Sequence, residues 1–218
     1  MSVVPWEDGL KKYWINYAGK ISGRDKIYRL IQYSARAIYF QLKQAGAPKE
    51  TWMRFYHISK VFSTGRKFQR MGKFIDNWFK AYKHLVKHGF SAGNMEEIAQ
   101  ALGLLAYAAD TIFYVWDLLA WIEAAKISKF PSLHVKYNRN RWNAIRYGLK
   151  AIKGSLLIQV LKPGTKQYYS HRRIAIKSAL DINNPLKGLG FLKLNDGQLG
   201  VIGIVTSIIG IYDDFHKK

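Results

Sequence analysis

His84 and His88 stand four residues apart in HLVKH, a spacing that sets two imidazoles on one helix face and could hold a metal ion. No glutamate follows His84 as a metalloprotease helix requires, and no third ligand lies near in the sequence. Both histidines therefore read as the exposed end of a basic helix. Asp213, Asp214 and His216 read as a hydrated terminus. The glycines of residues 188–203 are not followed by Gly-Lys-Ser/Thr, so they do not form a phosphate loop. The chain has no cysteine, which excludes disulfide scaffolds, cysteine zinc sites and thiol nucleophiles. No set of nucleophile, base and orienting group emerges, so the expectation is no enzyme, no metal and no cofactor. Asp110 and Asp117, seven apart, share a helix face. They suit either a polar path through a bundle or pairing with Lys or Arg of a neighbouring helix.

The remaining chemistry is electrostatic and apolar. Across 218 residues, 35 Lys and Arg oppose 14 Asp and Glu, a formal net charge of +21. A field of that sign concentrates polyanions, whether phosphodiester backbone or anionic lipid. The charge is segregated. Residues 51–88 hold nine Lys or Arg and one acid, residues 94–128 hold one Lys and five acids, and residues 129–180 hold twelve Lys or Arg and no acid. The N-terminal MSVVPWEDGLKKYW has no apolar run of the secretory kind, and DDFHKK is not a matrix-targeting tripeptide.

Helical periodicity dominates, so an all-α chain is expected. A short helix is predicted from Glu7 to Tyr17. Ser22, with Asp25 three residues on, reads as the N-cap of the next helix. That helix is expected to bury Ile27, Leu30, Ile31, Ile38 and Leu42, with Lys26, Arg29, Arg36 and Lys43 on other faces. Residues 51–88 read as one helix about 57 Å long at 1.5 Å per residue. A heptad register started at Ile58 gathers Ile58, Val61, Gly65, Phe68, Gly72, Ile75, Phe79 and Tyr82 on one stripe, with cations on the other side. Asn94 and Glu97 mark a capping box, and the helix from Met95 to about Ala125 is apolar nearly all round and long enough to span a bilayer. A basic helix is expected over about Asn138 to Leu161, a further helix near His171–Asp181, and an apolar segment over 188–212. In that segment Gly200, Gly203, Ser207 and Gly210 form a small-residue face suited to close helix packing.

The basic amphipathic stretch points to an interfacial helix. Its cations for lipid phosphates are Lys60, Arg66, Lys67, Arg70 and Lys73; its inserting residues are Phe55, Ile58, Val61, Phe68, Ile75 and Phe79. A nucleic-acid reader is not expected, since no zinc-finger, RNP or helix-turn-helix pattern is present and the aromatics lie in apolar stripes. If both apolar segments spanned, the basic stretch 129–180 would lie across the membrane from the N-terminal half, against the positive-inside tendency. The expectation is therefore insertion of 188–212, with 98–122 buried or partly inserted. The expected partition runs 1–90, 91–187 and 188–218.

Three blocks in order, GRDKIYRLIQYSARAIYFQL (Gly23–Leu42), RKFQRMGKFID (Arg66–Asp76) and LKLNDGQLGVIGIVTSIIGIY (Leu192–Tyr212), resemble the peroxin-11 family of peroxisomal membrane proteins. The resemblance implies a membrane-associated helical bundle with a C-terminal hydrophobic hairpin or span, in peroxisomes or in glycosomes, their specialised form. It implies a protein that elongates and tubulates the membrane before fission and places the remodelling helix on Thr51–Asn77. It further implies self-association into homo-oligomers and recruitment of fission machinery, including a dynamin-like GTPase. A solute-permeability role is the alternative, with Asp110 and Asp117 as the polar lining. Together the residues and the resemblance lead to binding of an anionic phospholipid membrane by the basic helix, anchorage by the C-terminal segment, and arrays formed through its small-residue face.

Overall fold

The computed structural model describes residues 17–128 and 131–215. Most of the helix expected from Glu7, and His216, lie outside the described residues. Eight α-helices and no strand occur among the described residues: α1 Ile21–Gln44, α2 Lys49–Gln69, α3 Lys73–His88, α4 Met95–Ala124, α5 Ser132–Val160, α6 Lys166–Asp181, α7 Asn183–Gly188 and α8 Asp196–Phe215. The all-α expectation holds.

The single helix expected over 51–88 is two helices. Gly72 adopts φ +82°, a left-handed conformation that interrupts the helix and is open to glycine at little steric cost. The break also divides the chain into two compact units, one of residues through Gln69 and from Asn195, the other Arg70–Leu194. The boundaries of the two units are at 69/70 and 194/195.

In the first unit α1 packs between α2 and α8. Its antiparallel register with α8 is fixed by the glycines. A Cβ on Gly200 would lie 2.8 Å from Ala37 Cα, one on Gly197 2.5 Å from Phe40 Cδ1, and one on Gly203 would overlap the Tyr33 ring. Only bare backbone lets the two helices approach so closely. This seam displaces part of the expected core of α1: Ile27, Leu30 and Leu42 are only half-buried. Gly23, Tyr33, Ala35 and Tyr39 are buried, while Ile31 and Ile38 are exposed. Tyr33, Ala37 and Phe40 meet the glycines, while Ile31 and Ile38 turn outward. Lys26, Arg29 and Arg36 face α8, contrary to expectation. Lys26 Nζ donates to the Gly210 carbonyl at 2.9 Å and pairs with Asp214, and Arg29 Nη2 donates to Thr206 Oγ1 at 2.7 Å. Ser22 is not the N-cap: Lys20 occupies that position without a side-chain bond. Asp25 is engaged by Arg66 instead.

In the second unit α3, α4, α5 and α6 follow as successive hairpins, with α7 against α5 and α6. The expected capping box begins α4: the Asn94 side chain accepts from the Glu97 N–H at 2.9 Å, and Glu97 accepts from the Gly93 N–H at 2.9 Å. The buried face of α4 is Ala99, Gly103, Ala106, Ala109, Asp110, Phe113, Asp117 and Ala120, small residues and acids, while Leu105 and Val115 are exposed. The basic helix α5 is longer than expected and begins at Ser132.

Candidate membrane interface

The helix α3 carries three faces. Asn77 and Ala81 are buried, and His84, half-buried on the same side, meets the Gln100 carbonyl of α4 through Nε2 at 2.9 Å. At 100° per residue the neighbouring arc collects Ile75, Trp78, Phe79, Tyr82, Leu85 and Val86, and all six are exposed. The third arc is Lys80, Lys83, Lys87 and Asp76, also exposed. A helix of a water-soluble domain turns its greasy arc to the core. Here α3 packs through its polar and small side and leaves Trp78 63% exposed.

On α2, Ile58, Val61 and Phe68 are exposed, Val61 by 68%, and Phe55 is half-buried. The expected apolar residues therefore emerge at the surface, Phe55 excepted, although on two helices. Trp78, Leu85, Val86 and Phe90, exposed too, were missed: Trp78 and Leu85 stand beside the a and d positions of the heptad register, Val86 follows the last residue gathered on the stripe, and Phe90 lies past the expected helix end.

The expected cations divide. Lys60 is exposed, and Lys67 and Lys73 are half-buried, with Lys73 Nζ 6.0 Å from the centre of the Tyr114 ring. Arg66 and Arg70 are not surface charges. Arg66, 8% exposed, donates through Nε to Asp25 Oδ1 at 3.0 Å and through Nη1 to Gln32 Oε1 at 2.8 Å. It shares the inward face of α2 with buried Ser59 seven residues earlier, the face that meets α1. Arg70 pairs through Nη2 with Asp117 Oδ2 at 2.9 Å and its side chain is 13% exposed. Charge count assigned both to lipid; the acids opposite them were the signal that decides otherwise.

Asp110 and Asp117 meet cations from their own unit, the second of the two chemistries that fit them. Arg146 Nη1 lies 3.1 Å and Lys150 Nζ 2.6 Å from the Asp110 carboxylate, and Arg139 joins Arg70 at Asp117. Arg146 also covers the Phe113 ring at 3.7 Å. A buried carboxylate is tolerated when paired in this way.

The small-residue face of α8 is buried as a packing surface: Gly200, Gly203, Ser207 and Gly210 are all within it. Its partner is α1 of the same chain, so it is not open to other copies. At the head of α8, Arg36 Nη2 holds Asp196 Oδ1 at 2.7 Å and the Tyr39 hydroxyl donates to Asp196 Oδ2. Burial first, and then that bond to a carboxylate, push the Tyr39 phenol well above its usual pKa, so it remains a donor. Val201, Val205, Ile208 and Tyr212 form the exposed stripe of α8. Two helices, α4 and α8, are long and apolar enough to cross a bilayer among the described residues. No group of three or more potential metal ligands occurs among the described residues.

A chain that is helical throughout its regular elements among the described residues, pairs its buried acids with cations and exposes aliphatic and aromatic arcs on α3 and α8 has the character of a membrane-associated protein. The family model for Peroxisomal biogenesis factor 11 matches residues 12–162 and 161–215, and the chain belongs to that family. It is similar to Peroxisomal biogenesis factor 11 of Schizosaccharomyces pombe, 24% identical over 87% of this chain and 88% of the relative. It is also similar to Peroxisomal membrane protein 11A of Homo sapiens, 20% identical over 89% of this chain and 92% of the relative. Peroxisomal membrane protein PMP30B of Candida boidinii is 25% identical over 91% of each chain. No solved structure matches. The family resemblance read from the sequence is thus correct, and the chain is a protein of the peroxisomal membrane with a part in peroxisome biogenesis.

Proposed function

We propose that this protein binds anionic phospholipid through α3 and the outer face of α2, elongates and tubulates the peroxisomal membrane, and so promotes fission and proliferation of the organelle. The observation that carries the reading is the exposed arc Ile75, Trp78, Phe79, Tyr82, Leu85 and Val86, beside Lys80, Lys83 and Lys87. Sinking a half-exposed side chain of this size below the headgroups contributes about 1 kcal/mol. Each lysine near an anionic surface contributes roughly another 1 kcal/mol. Inserted shallowly, such a wedge expands one leaflet and favours positive curvature. The anchor is α8, with its stripe Val201, Val205, Ile208 and Tyr212 toward acyl chains. The protein has no catalytic role in this account.

Self-association and recruitment of a dynamin-like GTPase are part of the proposal, drawn from the family resemblance. Because α1 occupies the glycine face of α8, copies associate through another surface. The permeability alternative is weaker. Its acidic lining, Asp110 and Asp117, is engaged by Arg146, Lys150, Arg70 and Arg139.

The test uses full-length protein on anionic vesicles. Wild type is expected to bind and tubulate them; Ile75→Glu with Phe79→Glu is expected to abolish both. Tubulation undiminished by that double change would end the proposal.

A further inference from the structure

A Cβ on Gly103 of α4 would overlap Lys153 Nζ of α5, and would lie 3.3 Å from Lys153 Cε and 3.5 Å from His84 Cε1 of α3. The bare backbone of Gly103 therefore makes room for the end of a lysine where three helices of the second unit meet. His84 is anchored there by the Gln100 carbonyl, with its ring centre 4.8 Å from that of His88 and 5.8 Å from that of Tyr107. On α6, half-buried His171 is close enough to feel the charge of Lys153. The groups gathered about this lysine are thus imidazoles, a phenol and glycine backbone. Glu96, the acid nearest the cluster, acts on exposed His88.

Lys153 is half-buried, and its Nζ has neither a carboxylate nor a hydrogen-bond acceptor among the described residues. That setting differs from those of Lys26 and Lys150, whose ammonium groups meet Asp214 and Asp110. An exposed lysine is fully hydrated and stays an ammonium at neutral pH, with no lone pair to give. Lys153 loses part of that hydration, and burial pushes its pKa down with no acid to hold the charge. More of it is free amine, the nucleophilic form. Burial first, and then the charge of Lys153, lower the pKa of His171 as well, so its imidazole stands neutral and able to take a proton.

We propose that Lys153 is a site of covalent acylation by an acyl thioester on an anionic carrier, the acyl-coenzyme A class. The amine nitrogen attacks the thioester carbonyl; the N–C bond forms as the C–S bond breaks, and the thiolate leaves and takes up the proton shed by nitrogen. The reaction needs no oxidant, reductant or metal. The carrier's phosphates suit the surroundings: residues 129–180, which include Lys153 and His171, hold twelve Lys or Arg and no acid, a field that concentrates polyanions. The product is a neutral amide, which removes a half-buried charge. The assignment stands apart from the lipid reading of α3.

The experiment is incubation of the full-length protein in detergent with acetyl-coenzyme A at neutral pH, with the rate at each lysine followed by peptide mass spectrometry. Lys153 is expected to be acetylated several-fold faster than exposed Lys80, Lys83 and Lys87. Its lead should shrink as pH rises and the exposed amines lose their protons. His171→Glu supplies the missing carboxylate and should slow Lys153 several-fold, while the three reference lysines keep their rates and so report an intact fold. At low salt, acetyl-coenzyme A should outpace an uncharged acetyl thioester at Lys153. Acetylation of Lys153 in the wild-type protein no faster than at the three exposed lysines would overturn the proposal, whatever the variant does. A lead that does not change with pH would overturn it too, because the free amine would then not be its cause. Equal rates with the two donors would remove the anionic carrier from the proposal.

Discussion

Arg66 and Arg70, one helical turn apart in the sequence, are committed to different compact units: Arg66 to Asp25 of the first at 3.0 Å, Arg70 to Asp117 of the second at 2.9 Å. Between them and α3 lie Met71 and the left-handed Gly72. The most basic stretch of the chain is therefore partly structural, and its charges divide by partner rather than by number.

That division predicts two kinds of cationic variant. Arg66→Gln leaves Asp25 half-satisfied and is expected to cost about 3 kcal/mol, the scale for breaking a buried pair. Lys80→Gln with Lys83→Gln and Lys87→Gln should leave stability unchanged and weaken binding to anionic vesicles, most at low salt, where screening is least. Thermal unfolding and vesicle flotation at two salt concentrations check both arms; equal loss of stability in the two variants would contradict the assignment.

The glycines predict opposite signs. Gly200→Ala sets a Cβ 2.8 Å from the Ala37 backbone and should destabilise by about 1–3 kcal/mol. Gly65, within α2, has open space where its Cβ would be, and Gly65→Ala should stabilise by up to about 1 kcal/mol through helix propensity. Denaturation of the detergent-solubilised variants measures the difference. A neutral Gly200→Ala would mean that α1 and α8 are not in close contact.

The Asp110 site predicts non-additivity. Arg146→Met leaves one carboxylate with Lys150 alone and should destabilise by about 3–5 kcal/mol. Adding Asp110→Leu to it should recover most of that loss, because the deeply buried carboxylate is then gone and Lys150, 30% exposed, can reach water. If the double variant is as unstable as the sum of the singles, the two groups do not act as a pair.

How much of this was legible in the sequence depends on what each segment packs against. The capping box at Asn94, the length of α4 and the Gly200–Gly210 face could be read directly, since local spacing alone determines them. The outward turn of Ile31 and Ile38 could not. Apolar periodicity finds a greasy stripe but does not say which side of it is lipid and which is protein. In α1 the seam belongs to Tyr33, Ala37 and Phe40 because α8 offers them glycine, and that pairing joins residues about 160–170 apart. The break at Gly72 was hidden because a heptad register runs through a glycine without registering its φ. Arg66 and Arg70 looked like surface charges until Asp25 and Asp117 came opposite them.

The central claim is that the aromatic arc of α3 lies in lipid, and site-directed spin labelling tests it most directly. The chain has no cysteine, so a single cysteine at each of positions 75, 77, 78, 79, 80, 82 and 83 gives one labelled site per protein. Collision with oxygen and with a water-soluble nickel chelate then reports depth on anionic vesicles. The account predicts labels at 75, 78, 79 and 82 within the acyl region, labels at 80 and 83 at the headgroups, and little access to either reagent at 77, which packs on α4. Labels at 78 and 79 that remain as open to the aqueous reagent on vesicles as in solution would contradict it.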